Sequence, residues 1–276
     1  MSVLSTRKVR HGIAAAATAV ALLAIPIGIA LPAQAAPPEL PVAKYVALGD
    51  SLAAGQGNGA PLDDCGRTGA GYANGIDALP RMNLLRNAGC SGATIGDVAA
   101  TQLGQINRGT TLVTITAGAG DLGIGAVYAA CIPDPNTPAC AQAVGAATAL
   151  LQSGQIGVRL AGLVTAVHER SPRADILVTG YPIPFDPQVP GLATTVNAAV
   201  AALNAQLGGA VAQLVPVAPV GYVDVTLAFA GHGAGGSDPW LGQNPGDPVS
   251  FLHPNAAGYA AYTDAVFAAY LVAAGS

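Results

Sequence analysis

The chain has little charge. Asp, Glu, Lys and Arg make up 9% of its 276 residues, 11 basic against 15 acidic. No basic patch is available to neutralise phosphates, which excludes a nucleic-acid binder. Aromatic residues are also scarce, at 5% with a single Trp, so a core must be built mostly from Ala, Val, Leu and Ile. There are four cysteines, with no Cys-x-x-Cys and no neighbouring His pair. Metal ligation is therefore the weaker reading of them, and no metal or organic cofactor is implied. No internal repeat occurs, and no linker is long enough to separate a pair of domains, so residues 36–276 read as one domain.

The first 35 residues read as a signal peptide. Arg7, Lys8 and Arg10 precede an apolar stretch over 12–31, interrupted by Pro26, and Ala33-Gln34-Ala35 is a small-x-small cleavage signal. An uncleaved membrane anchor is the competing reading, because the stretch is about long enough to span a bilayer. Without the three basic residues the chain keeps 8 Lys+Arg against 15 Asp+Glu. Export places the protein in the extracellular space or the cell envelope, where disulfides persist. Cys131 and Cys140 bracket a Pro-rich loop that a local bridge can staple, which leaves Cys65 to pair with Cys90.

Tyr45 to Leu48 reads as a buried strand running into Gly49-Asp50-Ser51. Further strands are expected at 84–88, 112–116, 175–180 and 215–217, the second of these β-branched and continuous as in a buried parallel sheet. Helical spacing predicts helices over 72–80, 97–103, 139–169 with a break at Gly154, 194–214 and 255–274. Strands alternating with helices predict an α/β fold, a mostly parallel sheet between helix layers.

A strand stopping at Gly-Asp-Ser puts the Ser51 hydroxyl at the carboxyl edge of a sheet, where open α/β sheets place ligands. The plain alternative is a helix N-cap. At the other end, His253 precedes Pro254, which keeps it extended, and Asn255 can cap the last helix. A strand-end serine and a loop histidine are the minimum for nucleophilic acyl transfer. His232 is a weaker candidate in a Gly-rich loop, and His168 reads as a solvated helix residue. Trp240 reads as loop packing. Gly118 to Gly123 formally matches a dinucleotide fingerprint, but no second strand with a ribose-binding acid follows. Gly89-Cys90-Ser91-Gly92-Ala93 lacks the last glycine of a nucleophile elbow.

Gly49-Asp50-Ser51-Leu52 with His253-Pro254-Asn255 resembles the SGNH, or GDSL, esterase/lipase family over nearly the whole mature chain. Asn87 to Thr94 resembles the family's second block, which implies Gly92 N–H as an oxyanion donor. Gly118-Ala119-Gly120-Asp121 stands where the family has Gly-Gly-Asn-Asp. Phe229-Ala230-Gly231-His232 and Pro239-Trp240 are similar to the secreted actinobacterial branch. The resemblance implies a three-layer α/β/α, flavodoxin-like fold and the pairs Cys65–Cys90 and Cys131–Cys140, with no counterpart to that branch's third disulfide. Two departures stand out. The oxyanion asparagine is replaced by Gly120, which is expected to leave room for a water or another donor. The acid three residues before the histidine is replaced by Ser250, whose carbonyl, or a nearby one, is expected to orient His253; Asp247 is a weaker substitute.

The resulting expectation is a secreted serine esterase acting on a lipid or cell-envelope acyl ester. Its catalytic pair is Ser51 and His253, and its oxyanion hole is formed at Ser51, Gly92 and Gly120. It is expected to be monomeric, with transient contact to lipid. The alternatives are a weakened relative that binds acylated lipid or glycan, and an acyltransferase using the same pair.

Overall fold

A computed structural model describes residues 41–275 of the chain. The expected targeting segment, residues 1–35, lies outside them. Five strands form one sheet: β1 (Ala43–Gly49), β2 (Met82–Asn87), β3 (Leu112–Thr116), β4 (Asp175–Thr179) and β5 (Val220–Val223). Their order is β2-β1-β3-β4-β5, with every pairing parallel. The helices are α1 (Ser51–Ala54), α2 (Tyr72–Asp77), α3 (Ile95–Asp97), α4 (Ile124–Cys131), α5 (Pro138–Ser153), α6 (Gln155–Arg170), α7 (Leu192–Leu214) and α8 (Ala256–Ala274). α2 packs with α8 and α6 packs with α7, and α7 and α8 each meet the sheet, giving helix layers around it.

Tyr45 to Leu48, Leu112 to Thr116 and Ile176 to Thr179 are buried, as strands covered on both faces must be. Three buried tyrosines form a polar cluster in the core against β1, β3 and β4. Tyr72 and Tyr262 stack at 4.7 Å. Their hydroxyls meet Thr116 and Thr179 at 2.8 Å each, and these two threonines bond each other at 2.6 Å. Tyr45 completes the cluster through Thr114 at 2.7 Å. Each hydroxyl of this cluster has a partner, so this polar layer inside the core avoids the cost of unpaired groups.

Two expectations fail here. The strand expected at 215–217 is absent: α7 ends at Leu214, Val215 and Val217 are exposed, and the fifth strand is Val220–Val223. Pro216 and Pro219 explain the shift. Each lacks an N–H, and the Pro219 carbonyl starts the pairing by accepting from Ile176 N–H. The sequence reading also assigned no helix to 124–131, where α4 lies. Gly154 does break the 139–169 segment, at φ 68.

Candidate active site

β1 ends at Gly49, whose φ is 138 and where a Cβ would lie 2.0 Å from the Thr116 carbonyl oxygen. Only glycine allows β1 and β3 to remain paired to that point while the chain turns. Asp50 then caps the single-turn helix α1, its carboxylate accepting from Leu52 N–H at 3.1 Å. Ser51 therefore stands at N1, where backbone N–H groups have no intrahelical partner. Asp50 is buried, and its other oxygen accepts from the Tyr181 hydroxyl at 2.5 Å. Burial pushes its pKa up to about 7, against the lowering effect of the Tyr181 hydrogen bond.

The loop after β2 packs onto this turn. A Cβ on Gly89 would lie 2.5 Å from Ala54 N, and Cys90 N–H donates to Gly49 O at 3.0 Å. The Cys65–Cys90 disulfide and a Ser91 N–H to Cys65 O bond hold the loop from outside. Gly92 follows at φ 76, and its N–H has no hydrogen-bond partner among the described residues.

The loop after β3 closes against that one. Ala119 N–H donates to the Tyr181 hydroxyl at 3.2 Å, so this phenol bridges Asp50 and the third loop. Asp121 accepts from Ile95 N–H and from Arg159. A Cβ on Gly120 would lie 2.4 Å from the Ala93 carbonyl oxygen and 2.8 Å from that of Gly92. The expectation of free room at position 120 is thus overturned on the side-chain side: the backbone of the second loop fills it. The Gly120 N–H has no partner among the described residues.

His253 arrives from the loop before α8. Gly57 at φ 95 backs it, since a Cβ there would lie 2.5 Å from His253 Cβ. The ring Nδ1 lies 3.0 Å from the Phe251 carbonyl oxygen. With a carbonyl as its partner Nδ1 carries the proton, which leaves Nε2 as the basic nitrogen. Ser250 does not orient the ring: its carbonyl accepts from the His253 backbone N–H, and its hydroxyl donates to Asp247 at 2.6 Å. The turn geometry explains this, because Leu252 at φ 58 brings the Phe251 carbonyl, not that of Ser250, around to the imidazole. A bulky residue in the left-handed region is strained, and here the strain lies between the acceptor and the ring. Gln56 Nε2 pins the same loop by donating to Val249 O at 3.1 Å. Burial lowers the His253 pKa to about 4, partly offset by the Phe251 carbonyl.

Ser51, Gly92, Gly120 and His253 line one cleft of about 490 Å³, with Ile124 and Tyr128 of α4 and Ile132 just past its end on its apolar side. Ser91 is also on this cleft, next to Gly92. His232 and Trp240 do not line it. They stack on each other at 3.5 Å, and Trp240 also meets Phe229 edge-on. His168 is half-buried rather than solvated, and its Nδ1 is buried with no partner among the described residues. Three contributors were not found by sequence reasoning: Tyr181, Gln56 and the α4 wall. Tyr181 falls just past the strand expected at 175–180, and no signal in the sequence marks it. The apolar residues of α4 gave no clear periodic stripe to mark them.

A model of the GDSL-like Lipase/Acylhydrolase family matches residues 47–261. Lipase 1 of Streptomyces coelicolor is 32% identical over 235 residues, covering 82% of this chain and 85% of the relative. A lipase of Streptomyces rimosus is 32% identical over 251 residues, covering 88% and 93%. Among solved structures, the extracellular lipase from Streptomyces rimosus superposes with a TM-score of 0.72 at 31% identity, covering 82% of this chain and 99% of that one. Phospholipase A1 from Streptomyces albidoflavus does so with the same TM-score and coverage at 28% identity. The chain belongs to the GDSL-like lipase/acylhydrolase family.

Proposed function

We propose that this protein is a secreted serine hydrolase of carboxylic esters, acting on acyl lipids through an acyl-enzyme at Ser51. His253 Nε2 takes the proton of the Ser51 hydroxyl as Oγ forms its bond to the ester carbonyl carbon. The carbonyl oxygen becomes an oxyanion, received by the unpartnered N–H groups at Ser51, Gly92 and Gly120. Collapse breaks the bond to the alcohol oxygen, which leaves with the proton from His253. Water then adds to the acyl-enzyme, its proton passing to the imidazole and back to Ser51, and the fatty acid departs. A carbonyl at Nδ1 fixes the tautomer, although it stabilises the imidazolium less than a carboxylate would.

The single observation that carries this reading is the common cleft: nucleophile, open N–H groups and a tautomer-fixed imidazole around one space. The apolar α4 wall suits an aliphatic acyl group. The relatives' own names, lipase and phospholipase A1, support ester-linked lipid as the substrate class. Two disulfides and an extracellular relative support export.

The test is turnover of p-nitrophenyl esters by the mature chain, with mass spectrometry of the quenched enzyme. A covalent acyl adduct on the Ser51 peptide is expected, absent in Ser51→Ala, with kcat reduced by about 10⁴-fold or more in Ser51→Ala and in His253→Ala. A folded, disulfide-intact protein that neither turns over nor acylates would contradict this reading and favour a binding role.

A further inference from the structure

The Ser51 cleft has an apolar neighbour on the far side of α4. There α4, α5 and α7 enclose a groove of about 360 Å³, walled by Val127, Val144, Leu151, Leu192 and Val200. No charged side chain lines it, and Thr148, Gln152 and Thr195 supply its side-chain polar groups. Helix α4 divides the two spaces. Gly125, Tyr128, Ala129 and Ile132 line the cleft, and Val127 lines the groove. Ile124, in the first turn of the helix, lines both.

We propose that this groove receives the distal methylenes of the acyl chain whose carbonyl lies at Ser51, with the chain passing over Ile124. The proposal rests on the ester-hydrolase reading of the cleft. Three observations select an aliphatic chain as the occupant. The groove offers no counter-charge to an ionic ligand. Its walls are mostly aliphatic side chains. It shares the wall residue Ile124 with the cleft proposed to hold the reacting carbonyl, so the two spaces are neighbours at that point. Each methylene moved out of water favours binding by about fourfold, so a chain long enough to reach the groove is expected to be preferred over one that ends in the cleft.

The experiment uses the mature full chain and p-nitrophenyl esters from butyrate to palmitate. Ala199 lines the groove and not the cleft, and Ala199→Phe places a ring in the groove. The expected result is a palmitate-to-butyrate ratio of kcat/KM about tenfold or more below that of the unsubstituted enzyme. An unchanged ratio overturns the proposal. Thr195→Trp, at an exposed rim position, is the second variant, and it should move the ratio the same way if Ala199→Phe does not fold. Loss confined to a two-chain phosphatidylcholine, with single-chain esters unaffected, would assign the groove to a second chain and overturn the proposal. A dimer that dissociates in Ala199→Phe would assign it to another copy of this chain, with the same consequence. No turnover of any ester in the series by the unsubstituted enzyme would instead bring down the hydrolase reading, and the groove proposal with it.

Discussion

At position 120 the space that a side chain would need is occupied by the carbonyls of Gly92 and Ala93. The family's asparagine therefore cannot simply be restored. Gly120→Asn is expected to lower stability by about 1–3 kcal/mol, as overpacking against backbone does, and to lower kcat/KM with it. Thermal melts and ester kinetics on this variant check both, and a gain in activity would show that the loop opens readily. Tyr181 is the second residue whose role becomes visible only in three dimensions. Its hydroxyl donates to Asp50 and accepts from Ala119 N–H, joining the Ser51 turn to the third loop. Tyr181→Phe strips the donor from a buried carboxylate, at a cost of roughly 1–3 kcal/mol. That loss should be larger at pH 8 than at pH 5, because Asp50, with a pKa of about 7, is ionised only at the higher value. Denaturant melts at the two pH values measure it, and an equal loss would mean that the hydroxyl serves packing alone.

Four elements converge at the carboxyl edge of the sheet, and they differ in how each is held. The second loop is fastened from outside by Cys65–Cys90, whereas Cys131–Cys140 ties the end of α4 to α5. Each bridge is worth roughly 3 kcal/mol in the chain-entropy view for loops of this size. Their effects on catalysis should separate. Replacing Cys65 and Cys90 by Ser is expected to lower both the melting temperature and butyrate turnover, because Ser91 and Gly92 lose their outer anchor. Replacing Cys131 and Cys140 by Ser should lower the melting temperature and leave butyrate turnover much closer to that of the parent. Calorimetry with single-ester kinetics distinguishes the two, and equal catalytic losses would contradict this division.

The same elements show what was legible in the chain beforehand. The strand ending in Gly49-Asp50-Ser51 and the His253-Pro254-Asn255 entry to α8 are local signals, set by a turn and a cap, and they could be read directly. The Phe251 carbonyl could not, because which carbonyl meets the imidazole depends on the left-handed turn at Leu252. Nor could the filled space at Gly120, which depends on how closely two loops from different strands approach. β5 was misplaced because Val215 and Val217 look like strand residues while the adjacent prolines govern the pairing.

Across the whole molecule, the low charge content leaves a few shifted groups to shape the pH response. Burial raises Asp50 from 3.8 to about 7, so the folded state holds a proton that the unfolded state has released, and stability falls as pH rises between these values. Burial lowers His253 from 6.5 to about 4, so there the unfolded state holds the extra proton and stability rises with pH over that window. The two slopes oppose each other between about pH 4 and 6.5. The raised Asp175 reinforces the first. The lowered, exposed Asp63, Asp97 and Asp247 act only as pH falls through the carboxylate range. Asp50→Asn should therefore uncover a melting temperature that climbs from pH 4.5 to 6.5, and His253→Ala one that declines. Parallel profiles in both variants would contradict the assignment of these slopes.

The most direct measurement is the rate of fluorophosphonate labelling at Ser51 as a function of pH, with Ser51→Ala alongside. A neutral, carbonyl-oriented His253 activating Ser51 without a carboxylate partner predicts labelling confined to Ser51. Its rate should stay high through pH 6 and fall only near the His253 pKa of about 4. No labelling of the folded enzyme, or an acid limb at the ordinary histidine value of 6.5, would contradict it.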